Sequence, residues 1–327
     1  MLMRPMDILH QFPMRKTNVQ KEAFRTAVQS YAEKLGYPVT VEKGPLGACN
    51  LLFGDPEKAK YLVTAHYDTC TNMLLPSFIT PCSLPVMLIS RLIRLIVFGL
   101  TAFFLGIASA LMIAAFSILT GTQLGDGWIV FVGLVTPGLT GFYVALLLLW
   151  RFFGSANSCN ANDNTSGVVT LLEIAGILPE NQRHKVCFVL FDLEEAGLIG
   201  SVSYRKKHRM ATDNQLVLNL DCVGDGDHLL MLPTKLLRKD RKRLTSLYKA
   251  CGYFGKKSLL VYEKGAAVYN SVQKIFPYAV GICALRQRKG ILYISRIHTQ
   301  KDTVLDISNV NILRAALTTF ICCDEVN

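Results

Sequence analysis

The sequence predicts an α/β protein with a mostly parallel mixed sheet flanked by helices, interrupted by an inserted hairpin of two apolar helices. Short apolar runs, which are typical of buried strands, alternate with stretches of helical periodicity along most of the 327 residues. Two long charge-free segments near the middle of the chain break this alternation. A chain of this length can bury the core of one sizeable α/β domain and still carry an addition of this kind.

The individual elements follow from the spacing of apolar residues. Helices are predicted within 15–37, and over 166–177, 197–207, 236–251 and 307–326. Strands are predicted at 39–41, 50–53, 60–65, 185–191, 215–220, 229–232 and 278–284. Because strands alternate with helices, most strands should run parallel, and residues that follow them should gather at one edge of the sheet.

The inserted hairpin is predicted from residues 95–120 and 128–150, which contain no charged side chain. Each stretch exceeds the roughly 20 apolar residues that a helix needs to cross a bilayer. Two buried core helices are the alternative, but consecutive charge-free stretches of this length are rare in globular domains. We therefore predict a transmembrane hairpin within residues 84–151, inserted into a single discontinuous domain formed by residues 1–83 and 152–327.

The flanking charges predict how this hairpin is oriented. Arg91 and Arg94 precede the first span and Arg151 follows the second, and positive residues near span ends stay on the cytoplasmic side. We expect a cell-membrane protein with two spans, whose discontinuous domain outside the hairpin and both termini are cytoplasmic. The ten cysteines form no CxxC pair or regular framework, which is typical of free thiols in a reducing compartment.

The net charge of +11 indicates contact with something acidic, either an anionic membrane surface or nucleic acid. The basic runs 203–209 and 235–243 carry no recognised nucleic-acid motif and few interleaved aromatic residues. No nucleic-acid partner is therefore expected. An ordinary solvated helix face and attraction to anionic lipids remain the two interpretations of these runs.

Metal-ligand residues recur at the ends of the predicted strands and at one helix start. In chain order they are His66 and Asp68, Asp163, the pair Glu194 and Glu195, Asp221, and His298. Each alone is typical of a loop or a helix cap, but five such sites at matched positions predict a shared cavity. Imidazole and carboxylate together suit a divalent transition metal, with Zn²⁺ favoured and Co²⁺ or Mn²⁺ possible.

The adjacent glutamates find an explanation in such a metal site. Neighbouring carboxylates repel each other, and two cations relieve that repulsion better than one. Two metals in such a site polarise a carbonyl and lower the pKa of a bound water. One carboxylate must then bridge the metals, and another must take the proton from the water. We therefore expect one glutamate of the pair to bind metal and its neighbour to act as general base.

Five motifs, in this order, resemble those of the M28 metallopeptidases. They are AHYDT (65–69), NDNTSG (162–167), FDLEEAGLIGS (191–201), LDCVG (220–224) and IHTQKDT (297–303). That family contains di-zinc aminopeptidases, glutamate-carboxypeptidase-like proteins and glutaminyl cyclases. The resemblance covers the chain from about residue 15 to the end without the hairpin, and it implies a zinc-peptidase/phosphorylase-like fold.

The resemblance also implies a role for each candidate residue. His66 and Asp221 would bind one metal, Glu195 and His298 the other, and Asp163 would bridge both. Glu194 takes the place of the catalytic base, and Asp68 that of the acid that fixes the tautomer of the first histidine. A cis peptide bond is expected between Asp163 and Asn164.

The activity that the resemblance implies is removal of N-terminal residues from peptides. A glutaminyl-cyclase-like enzyme with one zinc and a non-catalytic membrane scaffold that retains the fold are the alternatives. Two departures from the family pattern matter. Residues 70–161, including the hairpin, separate the first two motifs, where a short glycine-rich loop is usual, and VYNSVQ (268–273) replaces an SDH-like segment that shapes substrate pockets. Substrate preference is therefore not inherited.

Overall fold

The structure is a computed structural model that describes residues 4–73, 77–121, 128–264 and 267–323. The chain divides into two compact units, one formed by residues 1–84 and 156–327 and the other by residues 85–155. We refer to them as the sheet unit and the hairpin unit.

Ten strands and ten α-helices make up the described chain. The strands are β1 Val39–Lys43, β2 Cys49–Phe53, β3 Tyr61–His66, β4 Val186–Phe191, β5 Leu216–Leu220, β6 His228–Pro233, β7 Gly252–Phe254, β8 Lys257–Val261, β9 Ala279–Arg288 and β10 Ile291–Tyr293. The α-helices are α1 Ile8–Gln11, α2 Asn18–Lys34, α3 Leu84–Leu119, α4 Trp128–Phe153, α5 Gly167–Ile177, α6 Ile199–Lys207, α7 Arg209–Thr212, α8 Lys235–Lys239, α9 Arg241–Leu247 and α10 Ile307–Cys323.

All ten strands belong to one sheet, in the order β1-β2-β4-β3-β5-β9-β6-β8-β7, with β10 paired to β9. Its centre, β4-β3-β5-β9, is parallel, and antiparallel strands extend it on both sides. Every residue of β3, β4 and β5 is buried, as expected of parallel strands covered on both faces. The predicted fold class, a mixed α/β sheet flanked by helices, is confirmed.

The two faces of the sheet hold separate parts of the core because side chains alternate along each strand. Val63 of β3 packs in a cluster with Leu172 of α5 and Leu317 of α10. Its neighbour Leu62 lies in a second cluster with Tyr204 of α6. Helices on both faces therefore fix the central strands, and the carboxyl ends of β3, β4 and β5 meet at one edge.

The structure differs from the predicted elements in two places. The basic segment 236–251 forms α8, α9 and a 3₁₀ turn rather than one helix, because the Asp240 carboxylate accepts the backbone N–H of Arg243 (3.0 Å) and starts a new helix. The short strands β7, β8 and β10 were not predicted, since they carry little apolar alternation. The last predicted helix is α10, and residues 324–326 of that prediction lie outside the described residues.

The hairpin unit consists of α3 and α4, which contain the two predicted spans. Small residues of α3 are buried at every fourth position: Ala102, Gly106, Ala110 and Ala114. A Cβ at Gly106 would lie 2.6 Å from the Thr140 hydroxyl of α4, so this spacing allows close helix packing. Ser109 and Tyr143 add a hydroxyl–hydroxyl hydrogen bond of 2.7 Å between the helices.

The remaining surface of the hairpin unit is apolar and exposed. Only 17% of the most apolar stretch of α3 and 6% of that of α4 is buried. Phe104 and Phe116 of α3 and Leu134 of α4 are each more than 60% exposed. Both helices are long and apolar enough to cross a membrane, and their exposure differs from that of core helices in a soluble protein, which are mostly buried.

Candidate metal centre

The candidate residues lie together at the carboxyl edge of the parallel strands. His66 is the last residue of β3, Asp221 follows β5 directly, and the two glutamates lie in the loop after β4. The register pairs His66 with Phe191 of β4, which places the loop carrying the glutamates beside it. Asp163 and His298 reach the same place from the turn before α5 and from the loop after β10.

One group of possible ligands surrounds His66. Its Nε2 lies 3.2 Å from Oδ1 of Asp163 and 3.8 Å from Oδ1 of Asp221. The ligand atoms of these three residues lie within 4.8 Å of one another, and all three side chains are buried. One imidazole and two carboxylates on a shared point are a suitable ligand set for a divalent metal.

A second group surrounds His298. Its Nε2 lies 2.9 Å from Oδ2 of Asp163 and 3.2 Å from Oε1 of Glu195. The two oxygens of Asp163 therefore face the two imidazoles, one oxygen each. One carboxylate therefore contacts both groups of possible ligands.

Both imidazoles present Nε2 to the centre because Nδ1 has another partner. Nδ1 of His66 lies 3.2 Å from the backbone carbonyl of Asp68 and 3.5 Å from its carboxylate. Nδ1 of His298 lies 2.9 Å from the hydroxyl of Ser77. Such partners fix the tautomer and orientation of a metal-binding histidine. Ser77 was not predicted as a site residue, because it lies outside the five motifs, in the segment between the first motif and the hairpin.

Asp68 also positions the paired glutamates. Its two carboxylate oxygens accept the backbone N–H groups of Glu194 (3.0 Å) and Glu195 (3.1 Å). Leu193, immediately before the pair, has a left-handed conformation with φ of 53°. The loop after β4 is thus held by the residue that also faces His66, so the first motif and the glutamate pair form one hydrogen-bonded unit.

The turn that carries Asp163 is held from two sides. The Asp163–Asn164 peptide bond is cis, which confirms the expectation. The Asn164 side chain donates to the carbonyl of Leu220 (2.9 Å) and accepts from the backbone N–H of Cys222 (3.2 Å). The Asp302 carboxylate accepts the backbone N–H groups of Asn162 (2.8 Å) and Asp163 (2.9 Å). Asp302, in the fifth motif, therefore supports the shared aspartate.

The acid that precedes the glutamate pair has a different task. Asp192 is fully buried, and its carboxylate pairs with Lys21 of α2 at 2.9 and 3.1 Å. It also accepts the backbone N–H of Cys49 at 3.0 Å. Asp192 thus connects α2, β2 and the end of β4.

The charges at the site strongly perturb one another. Burial lowers the pKa of His66 and of His298. The negative charge of Glu194 near His66, that of Glu195 near His298 and the contact of each ring with Asp163 raise these pKa values by more. Both pKa values therefore lie well above the usual range. Burial raises the pKa of Asp163, yet its contacts with both imidazoles bring it below the usual range.

Glu194 responds in the opposite direction from Asp163. Burial raises its pKa, and the negative charges of Glu195, Asp221 and Asp68 raise it further against the opposing effect of His66, so the value lies well above the usual range. A carboxylate with a raised pKa is a better proton acceptor near neutral pH than an ordinary one.

The donor set fits divalent metal ions. Five carboxylates meet two imidazoles in this largely buried site, and the fully buried Arg15 is held beside them by bonds to the Tyr67 carbonyl and the Thr165 hydroxyl. Burial lowers the pKa of Arg15 to about 10 against the attraction of Asp68 and Asp163. The acids outnumber the cationic side chains even when both imidazoles are protonated, and metal ions would supply the missing positive charge.

Comparison with known proteins gives one family and many similar folds. The family model of peptidase family M28 matches residues 152–320, which is more than half of the chain. This range contains Asp163, Glu194, Glu195, Asp221 and His298 but not His66, which the structure brings to the same site. No curated protein matches the chain significantly.

Three solved structures resemble the fold. A Zn-dependent exopeptidase from Parabacteroides distasonis is 16% identical with a TM-score of 0.57, covering 97% of this chain and 96% of its own. The LapA aminopeptidase of Legionella pneumophila is 12% identical with a TM-score of 0.56, and the match covers 99% of this chain and 71% of LapA. A glutaminyl cyclase from Fimbriiglobus ruber is 14% identical with a TM-score of 0.54, and the match covers 98% of this chain and 95% of the cyclase. At these identities the likeness shows the fold alone.

The stabilisation of the protein by zinc should increase with pH. In metal-free protein, His66 and His298 have raised pKa values, so their protonation stabilises the folded state. This contribution to the free energy of unfolding is fully present below about pH 6.5, the pKa of an unfolded histidine, and is lost as pH rises through the pKa values of the folded protein. Zinc needs neutral imidazoles, so it binds more tightly as these protons leave. The Tm difference between zinc-loaded and metal-free protein should therefore widen from about pH 6 to about pH 9.

Calorimetry on the purified protein measures this difference. Ca²⁺, which prefers oxygen ligands, serves as the matched control and should show a smaller pH dependence. A difference that stays constant or narrows towards high pH contradicts the assignment of the two imidazoles.

Proposed function

The chain belongs to peptidase family M28 and is accordingly a zinc-dependent peptidase, and from this premise we propose that it is a membrane-tethered di-zinc aminopeptidase. The observation that carries the di-zinc part of the proposal is the position of Asp163. Its two oxygens face Nε2 of His66 at 3.2 Å and Nε2 of His298 at 2.9 Å. A site for a single ion needs only one of these contacts.

The proposal gives each ligand a position. His66 and Asp221 hold one ion, Glu195 and His298 hold the other, and Asp163 holds both. When bound, the two ions supply Lewis-acid activation of the scissile carbonyl and of a water molecule. Asp68 contacts Nδ1 of His66 and Ser77 contacts Nδ1 of His298. These contacts keep Nε2 of each imidazole directed at the ions.

Glu194 carries the proton in this proposal. Its carboxylate takes the proton of the attacking water and delivers it to the nitrogen of the leaving amine. Two features support this role. The backbone N–H of Glu194 donates to Asp68 (3.0 Å), which fixes the main chain of the glutamate. The surrounding acids raise its pKa, so that it can both accept and release a proton.

The carboxylates around the two ion positions suit the amino terminus of a peptide. In an aminopeptidase the free amine of the substrate would lie against these carboxylates and one of the ions. An internal stretch of peptide has no free amine for these contacts. We therefore favour removal of N-terminal residues over internal cleavage.

A glutaminyl-cyclase-like activity with one zinc is the second candidate. It is favoured by the likeness in fold to the Fimbriiglobus ruber enzyme, which covers 98% of this chain. The two-sided arrangement around Asp163 favours two ions instead. The number of zinc ions bound per purified chain separates the two candidates directly.

Two adjacent isosteric substitutions should separate proton transfer from metal binding. Glu194→Gln should keep both zinc ions and lose about 10²- to 10⁴-fold in turnover, because only the general base is removed. Glu195→Gln should lose one of the two ions, because a charged ligand beside His298 is removed. Metal content by mass spectrometry and hydrolysis of a panel of aminoacyl amides measure the two effects on the same samples.

The two variants control for each other, since they change neighbouring residues in the same loop by the same chemistry. Wild-type turnover by metal-loaded Glu194→Gln protein contradicts the role of Glu194. Full metal content in Glu195→Gln protein with tight binding of both ions contradicts the role of Glu195.

The membrane part of the proposal rests on the hairpin unit. Its two helices are long and apolar, and their outer faces are exposed. Exposed apolar helix faces of this kind are suited to contact with lipid. The packing of α3 on α4 through small residues is typical of helices in a bilayer. The basic flanks Arg91, Arg94 and Arg151 orient the hairpin with the catalytic domain and both termini in the cytoplasm of the cell.

Membrane insertion and topology should be visible in cells. The full chain should stay in the membrane pellet after alkaline carbonate extraction, and reporters fused at the amino and carboxyl termini should both report a cytoplasmic location. A peripheral protein of matched charge provides the extraction control. Release of the chain by carbonate contradicts spanning, and termini on opposite sides contradict a two-span hairpin.

A further inference from the structure

A cysteine lies beside the second group of ligands. Cys70 follows the first motif directly, and its side chain is buried and free of any disulfide. Its sulfur, a carboxylate oxygen of Glu195 and a ring nitrogen of His298 all lie within 4.8 Å of one another. Thiolate, carboxylate and imidazole are the three common side-chain ligands of zinc in proteins.

The chain around Cys70 is fixed on several sides. Its carbonyl accepts the backbone N–H of Asn157 at 3.1 Å, and Thr71, the next residue, forms a bridge with Ala156. The Asn157 side chain donates to the carbonyl of Thr299, next to His298, at 3.1 Å. The same short segment therefore holds both the cysteine and the loop that carries the histidine.

We propose that Cys70 is a thiolate ligand of the ion held by Glu195 and His298. This inference rests on the proposed di-zinc function and makes the two metal positions unlike. With Asp163 shared as in the proposed function, one position has four protein ligands, Asp163, Glu195, His298 and Cys70, and takes water only as a fifth ligand, a coordination number that zinc reaches in catalytic sites. The other has His66, Asp163 and Asp221, and three protein ligands leave a position open for substrate and water.

Coordination of the metal requires Cys70 to be deprotonated. A bound metal ion deprotonates a coordinating thiol, so the Cys70 thiol would lose its proton to solvent and a sulfur lone pair would form the bond to the metal. Thiolate is a soft ligand and selects zinc over manganese, whereas carboxylate and imidazole alone discriminate less. The proposal thus also assigns a preference for zinc to this position.

The ordinary alternative is a small buried apolar residue, which is the commonest state of a free cysteine. Cys222 offers a matched comparison for it. Cys222 is equally buried and follows the ligand Asp221 directly, yet among the described residues it belongs to no group of metal-ligand atoms of the kind that includes Cys70.

X-ray absorption on the zinc-loaded full chain tests the proposal. Wild-type protein should show one sulfur for every two zinc ions at about 2.3 Å, in addition to nitrogen and oxygen at about 2.0–2.2 Å. Cys70→Ser should lose the sulfur contribution and Cys222→Ser should keep it. Cobalt-substituted protein should show the matching thiolate-to-cobalt charge-transfer band in the near ultraviolet, lost in the same variant only.

The outcomes separate this inference from the function on which it rests. Two bound zinc ions with nitrogen and oxygen ligands only, or loss of sulfur in Cys222→Ser instead of Cys70→Ser, overturns the role of Cys70 and leaves the di-zinc proposal intact. Failure of the wild type to bind zinc overturns both. If Cys70→Ser does not fold, Cys70→Asp, which keeps a ligand oxygen there, must bind zinc without sulfur.

Discussion

The repulsion among the carboxylates at the edge of the sheet is the constraint on which the rest of the structure depends. Five acids meet two imidazoles there, and the surrounding chain is organised to keep them in place. Backbone N–H groups bind the Asp68 carboxylate, and Asp302 holds the turn that carries Asp163. Acids buried this close together need positive charge between them, which the imidazoles and Arg15 supply in part and which bound metal ions would complete.

The parallel sheet explains why the site residues could be found from sequence. Ligands at or shortly after the ends of β3, β4 and β5 lie at one edge because those strands run in the same direction, and a strand end is visible as the end of an apolar run. Ser77 and Arg15 had no such mark. Each reaches the site through contacts between segments far apart in the chain, which spacing along the sequence cannot reveal.

The segments on either side of the insertion belong to the sheet unit and bear on the site. The backbone N–H of Met73 donates to the carbonyl of His298 at 2.8 Å, and Ile79 bridges Ile294 in the same loop. Asn157 contacts that loop from the other flank. The histidine loop is thus enclosed by the two segments that lead to and from the hairpin, which explains why the insertion separates two motifs without separating their residues in space.

Anomalous diffraction at the zinc edge from crystals of the zinc-loaded protein would locate the bound ions. We expect two peaks about 3.5–4 Å apart, one near each oxygen of Asp163, with His66 beside the first and His298 beside the second. A single peak, or two peaks of which neither contacts Asp163, would contradict this expectation.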